Sequence, residues 1–127
     1  MTDDELLAQF ADTTLAELPH VDHVRLVYLY AREAGTDAAA LRIRAGLIAF
    51  TAARGAAAHF HETRTWAWAI LIGRATEASA AGSFAGFIAD HPEFLRRDLL
   101  DDFYSPDVLL SDEARTSILA PDRAPIA

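Results

Sequence analysis

Apolar residues recur every three to four positions along most of the chain, and no stretch alternates with the period of two that a half-buried strand requires, so the pattern predicts an all-α protein. Thr2-Asp3-Asp4-Glu5 has the spacing of a capping box, with the Thr2 hydroxyl accepting an N–H of the first turn while Glu5 reaches back. Leu6, Leu7 and Phe10 follow as an apolar stripe, and this helix is expected to end between Thr13 and Leu18. Pro19 suits the first turn of a second helix, which runs until Gly35 can adopt the left-handed conformation that stops it. Thr36 or Asp37 caps a third helix through about Arg54, Gly55 closes it, and a fourth spans about Ala58 to Ala75.

After the small-residue turn Ala78 to Gly82 the periodicity breaks into shorter pieces. Helices are expected at Phe84 to Asp90, Glu93 to Phe103 and Asp107 to Leu119, interrupted at His91-Pro92 because a proline ring disfavours helical geometry in the residue before it. Ser105-Pro106 and Ser111 supply cap chemistry, and residues 120–127, which contain Pro121-Asp122-Arg123-Ala124-Pro125, are expected to form an extended tail. The whole reads as one domain over 1–127, a helical bundle of four main helices followed by short ones.

Composition narrows the chemistry. A chain of 127 residues, 52% hydrophobic and 24% charged, has the balance of one globular domain. It contains no Cys, so thiolate sites are excluded and any metal must be held by His, Asp or Glu. The net charge of −8 repels phosphate backbones and anionic lipid, so neither nucleic acid nor a membrane is an expected partner. The start, MTDDELL, is acidic rather than basic, and no apolar run approaches the roughly 20 residues needed to cross a bilayer. The expected location is cytoplasmic.

The candidate chemistry lies in the histidines. On a wheel of the second helix, Asp22, Arg25, Leu29, Arg32 and Glu33 share one side, and His20, His23, Val24, Val27, Tyr30, Ala31 and Ala34 share the other. His20 and His23 are thus placed one turn apart on the core-facing stripe, as half of a metal site or as interior histidines bonded to carbonyls. The other half is His59-Phe60-His61-Glu62-Thr63, at the start of the nearly all-apolar fourth helix. His61 and Glu62 would complete the set with His20 and His23, with His59 as the substitute for His61 if the helix is rotated differently. Three imidazoles and a carboxylate suit a divalent transition metal, Zn, Fe, Mn or Cu, with positions left for solvent. Glu62 has an alternative role, since a carboxylate near a helix N-terminus is stabilised by the dipole.

Arg44 falls among Leu41, Leu47 and Ile48 on the third helix, so it either snorkels to the surface or pairs with Glu62 or a substrate anion. Tyr28 and Tyr30 either pack in the core or donate hydrogen bonds in a pocket. Trp66 and Trp68 read as core, with walling a ligand cavity as the alternative.

The blocks His20-Val-Asp-His23-Val-Arg25-Leu26, Phe60-His61-Glu62-Thr63, Tyr104-Ser105-Pro106 and Pro121-Asp122-Arg123-Ala124-Pro125 resemble those of a group of small helical bacterial proteins. The resemblance covers most of the chain and implies no particular activity. It does place His20, His23, His61 and Glu62 within the shared blocks. The leading expectation is a small metal-binding protein or metalloenzyme acting on a small molecule, with His20, His23 and His61 as ligands and Glu62 as fourth ligand or general base, supported by Arg44 and Tyr30. The alternatives are a metal-free lyase, isomerase or cyclase on an apolar substrate, and an interaction domain that buries its helices against a partner or, as a homodimer, a second copy.

Overall fold

The computed structural model describes residues 1–126 and is all-helical, with no strand among the described residues; Ala127, the last residue of the expected tail, lies outside them. Helix α1 (Asp3–Ala11) opens on the Thr2 hydroxyl, which accepts the Glu5 N–H at 3.1 Å. It stops two residues short of the expected range, which opened at Thr13, because Asp12 is its C-cap and Thr13 takes a positive φ of 61°. Helix α2 (His20–Ala34) follows Pro19, and Gly35 at φ 90° lets α3 (Thr36–Ala53) begin one residue later. Helix α4 (Glu62–Ala78) starts four residues beyond the expected Ala58, because Ala57–His59 forms a 3-10 turn and Phe60 and His61 are extended.

Three helices organise the interior. α2, α3 and α4 pack against one another around Leu26, Val27, Ile43, Ala67, Ala69 and Ile72. α1 lies over α2 and α3, where Phe10 rests directly on the backbone of Gly46, and Arg25 of α2 clasps the Asp3 carboxylate and the Met1 carbonyl. The close approach at Gly46 is available only to a residue without a Cβ.

The C-terminal third consists of short pieces, α5 (Phe84–Asp90), α6 (Pro106–Leu109) and α7 (Asp112–Thr116). The helix expected over Glu93 to Phe103 is instead two 3-10 turns, Pro92–Leu95 and Leu99–Asp102, separated at Arg96 by extended backbone. Arg96 there pairs with Asp98 and Asp102, which holds the break in place. This segment docks on α2 through aromatic packing: Tyr28 lies 4.8 Å from Phe87, and Phe87 stacks at 5.8 Å on Phe94.

After α7 the described chain has no further helix and is strapped to the body by single hydrogen bonds. The buried Thr63 hydroxyl donates to the Ser117 carbonyl at 2.7 Å and accepts the Leu119 N–H at 3.1 Å, and the Tyr104 hydroxyl donates to the Leu119 carbonyl. Thr63→Val keeps the side-chain shape and removes both Thr63 bonds. It is expected to cost about 1 to 2 kcal/mol in urea unfolding and to raise amide exchange at Leu119 selectively.

Among the described residues no helix is long and apolar enough to cross a membrane.

Candidate functional site

The first turn of α2 and the N-terminal side of α4 meet at Trp68. His20, the first residue of α2, sets its ring edge-on to Trp68 at a centroid distance of 4.8 Å, and its Nε2 lies 2.8 Å from the Phe94 carbonyl. A carbonyl can only accept, so His20 Nε2 carries a proton and is committed to that bond.

His23, one turn on, is different. Its Nε2 is closed to solvent and has no hydrogen-bond partner. Burial, and secondarily the neighbouring His20 ring at 6.3 Å, lower its pKa from 6.5 to about 4, so the imidazole is neutral at pH 7. An unpartnered buried polar nitrogen costs roughly 1–3 kcal/mol, and nothing in the fold recovers that cost.

His23 and Leu47 line both of two neighbouring cavities, the inner and outer lobes of the groove. The inner lobe, about 210 Å³, is walled by Leu47 and Thr51 of α3, by Phe60, and by Thr65 and Trp68 of α4, with His59, His61 and Arg64 completing it. The outer lobe, about 440 Å³, adds Leu18, Pro19, His20 and Arg97, and shares Leu47 with the first. A cavity near 150 Å³ accommodates benzene, so the inner lobe has room for a substituted ring.

The structure brings His23, His59 and His61 to the same lobe and His20 to the next one. His61 is nevertheless fully engaged. It is the N-cap of α4: its Nδ1 accepts the Arg64 N–H at 3.1 Å, while its Nε2 donates to the Leu109 carbonyl at 3.0 Å. This fixes a neutral ring with the proton on Nε2, and desolvation lowers its pKa in the same sense. Binding a metal through His61 would break either the helix cap or the tie to Leu109.

Glu62 turns away from the histidines. Its carboxylate takes three bonds from the Arg44 guanidinium, the shortest 2.6 Å, and it borders a separate cavity of about 90 Å³ with Arg44, Trp66 and Ile118. Adjacent residues on a helix sit 100° apart, so His61 and Glu62 face different neighbours. Arg44 is exposed at the surface, held beside Glu62. Tyr30 is half-buried on α2 beneath the Arg42 guanidinium, 5.8 Å from the ring centroid, and does not line the groove. Among the described residues no three His, Asp or Glu side chains are grouped so as to hold a metal ion. Only His23, of the four residues expected to ligate, has a buried nitrogen left without a partner.

Arg64, Thr51, Leu47 and Arg97 were not among the site residues to which the sequence pointed, Leu47 figuring there only as a helical neighbour of Arg44. One signal for Arg64 was present: His61, Arg64, Thr65 and Trp68 follow the i, i+3, i+4, i+7 spacing of one helix face. Arg97 sits between two 3-10 turns, where no periodicity points to it.

His61→Ala should remove the α4 cap and the Leu109 bond together, lowering stability by about 1 to 2 kcal/mol. His61→Asn, able to cap but unable to reach Leu109 in the same way, should recover part of the loss in the same thermal or urea unfolding experiment.

The chain matches no protein-family model, no curated protein and no solved structure.

Proposed function

We propose that the two-lobed groove is a binding and acid/base site for a small apolar molecule, and that His23 is its base. One observation carries the reading: His23, which lines both lobes, has a buried Nε2 with no hydrogen-bond partner. A fold gains nothing from such a nitrogen, whereas a ligand offering a hydrogen-bond donor would satisfy it once the ring, with its proton on Nδ1, turned Nε2 toward the lobe. Burial leaves the free imidazole a weak base, so it would take a proton from a bound hydroxyl or activated C–H and hand it back, the chemistry of lyases and isomerases, where the substrate's own charge raises its pKa. Trp68, Phe60 and Leu47 would hold the apolar part of the substrate and exclude water. Glu62 and Arg44 belong to a structural ion pair in this reading, and the metal set drawn from the sequence is set aside because His61 and Glu62 are engaged elsewhere.

The test is a titration of ¹⁵N-histidine-labelled protein with phenol, anisole and zinc chloride in turn. Phenol should bind in the millimolar range or tighter and shift the His23 ring nitrogens. Anisole, which lacks the donor, should bind about tenfold more weakly, and zinc should leave the His23 and His61 signals in place. Equal binding of phenol and anisole, no binding of either, or stoichiometric zinc uptake that moves His23 and His61 together would each overturn the proposal.

A further inference from the structure

The polar groups of the groove are one-sided, and the hydrogen bonds already made leave few of them free. In the inner lobe the Thr51 hydroxyl donates to the Leu47 carbonyl at 2.9 Å and the Thr65 hydroxyl to the His61 carbonyl at 2.7 Å, so neither proton is available to a ligand. His61 has both ring nitrogens occupied. What remains is His23 Nε2, the exposed His59 and the Arg64 guanidinium.

Neither lobe is lined by a single Asp or Glu, although the chain carries 19 acidic against 11 basic residues. Arg64 in the inner lobe and Arg97 in the outer one have no ion-pair partner among the described residues, as is true of Arg32, Arg54, Arg74, Arg115 and Arg123, but these two are the arginines that line the groove. Arg64 is half-buried beside the aromatic wall of Phe60 and Trp68, where an uncompensated guanidinium is worth more to an anion than it would be in open water.

We infer that the occupant of the groove is a small aromatic or apolar carboxylic acid whose carboxylate pairs with Arg64 and whose ring lies against Trp68 and Phe60, next to His23. The inference rests on the reading of His23 as base and adds the substrate class to it. The inner lobe's 210 Å³ sets the size, one substituted ring. The planar fork of Arg64 sets the anion, since guanidinium and carboxylate match two bonds to two oxygens. Arg97, in the open outer lobe, would draw the anion in rather than seat it, because an exposed charge acts mainly on encounter. The substrate would thus bring a carboxylate to Arg64 and a proton donor to His23, pairing two of the polar groups that the groove leaves free.

Binding of benzoate, 4-hydroxybenzoate, benzamide and benzylammonium to the full chain at low salt tests the class. Benzoate should bind about tenfold more tightly than benzamide, 4-hydroxybenzoate more tightly still, and benzylammonium not measurably. Arg64→Gln should weaken benzoate about tenfold while leaving phenol within about twofold, Arg64→Lys should restore part of the loss, and Arg97→Gln should change benzoate affinity by less than about threefold. The Arg64 side chain makes no hydrogen bond among the described residues and its cap contact is through the backbone N–H, so these variants keep the fold; a far-ultraviolet spectrum checks that. Benzamide equal to benzoate, or benzoate unaffected by Arg64→Gln, overturns the anion assignment even if phenol still shifts His23. Failure of phenol and benzoate alike overturns the His23 reading with it.

Discussion

Adding one methyl group at Gly46 is expected to lower stability by about 2 to 3 kcal/mol, the opposite of what helix propensity alone predicts. Glycine inside α3 should be about 1 kcal/mol worse than alanine, so Gly46→Ala on an open helix face would stabilise. Here a Cβ would collide with Cε2 and Cζ of the Phe10 ring. The Phe10 ring is only 1% exposed and lies 6.5 Å from Phe50, one turn beyond Gly46 on the same face of α3, so it has no free space to retreat into. The methyl group must either lift α1 from α3 or push the ring off its rotamer, and both exceed the propensity gain. Urea unfolding measures the loss. The double variant Gly46→Ala with Phe10→Leu should be more stable than the sum of the single changes, because the smaller side chain relieves the clash. A Gly46→Ala protein more stable than the parent would mean that α1 does not dock this way.

Acid should weaken the fold by about 3 kcal/mol between pH 6.5 and pH 4, more than half of it above about pH 5, where most carboxylates are still ionised. His23 has a pKa of about 4 in the folded protein against 6.5 when unfolded. Within that window the unfolded chain binds a proton that the folded one refuses, so its stabilising share is complete above pH 6.5 and is lost as the pH falls toward 4. His61, whose pKa is also lowered, adds a smaller loss of the same sign. His23→Leu should flatten most of this dependence in urea unfolding followed across pH. At pH 7 it should be as stable as the parent or more so, since it replaces an unpartnered buried nitrogen with apolar surface. Parent and variant with the same pH dependence would show that His23 is charged or hydrated in the folded state.

Much of the helical order was legible because its punctuation is chemical. Gly35 marks the α2–α3 junction to the residue, and Thr2, Ser105 and Ser111 cap the helices they precede, accepting the N–H three residues on. The start of α4 was misplaced because its cap is a histidine, which acts through Nδ1 and is not among the usual capping residues. The wheel of α2 placed Tyr30 inward, yet Tyr28 is the fully buried one, because Phe84 and Phe87 from the C-terminal third cover a side of α2 that would otherwise face water. Packing between segments 55 to 60 residues apart leaves no periodic trace in α2 itself.

The candidate site was legible in the same uneven way. The pattern led to His23 and to the neighbourhood of His61, since both lie on faces set by helical spacing. It could not say that the two nitrogens of His61 would be taken by Leu109 and Arg64, nor that Glu62 would find Arg44, because hydrogen bonds made across the fold decide both. Arg97 enters the groove through the fold of an irregular segment, which carries no signal of its own.

The central claim is that His23 is held neutral and unpartnered on the wall of the groove, and a direct test is an NMR pH titration of the ¹⁵N-labelled imidazole in the folded protein without ligand. The account predicts a midpoint near pH 4, with the ring uncharged throughout the neutral range. A midpoint at pH 6 to 7, where an ordinary solvated histidine titrates, would contradict it.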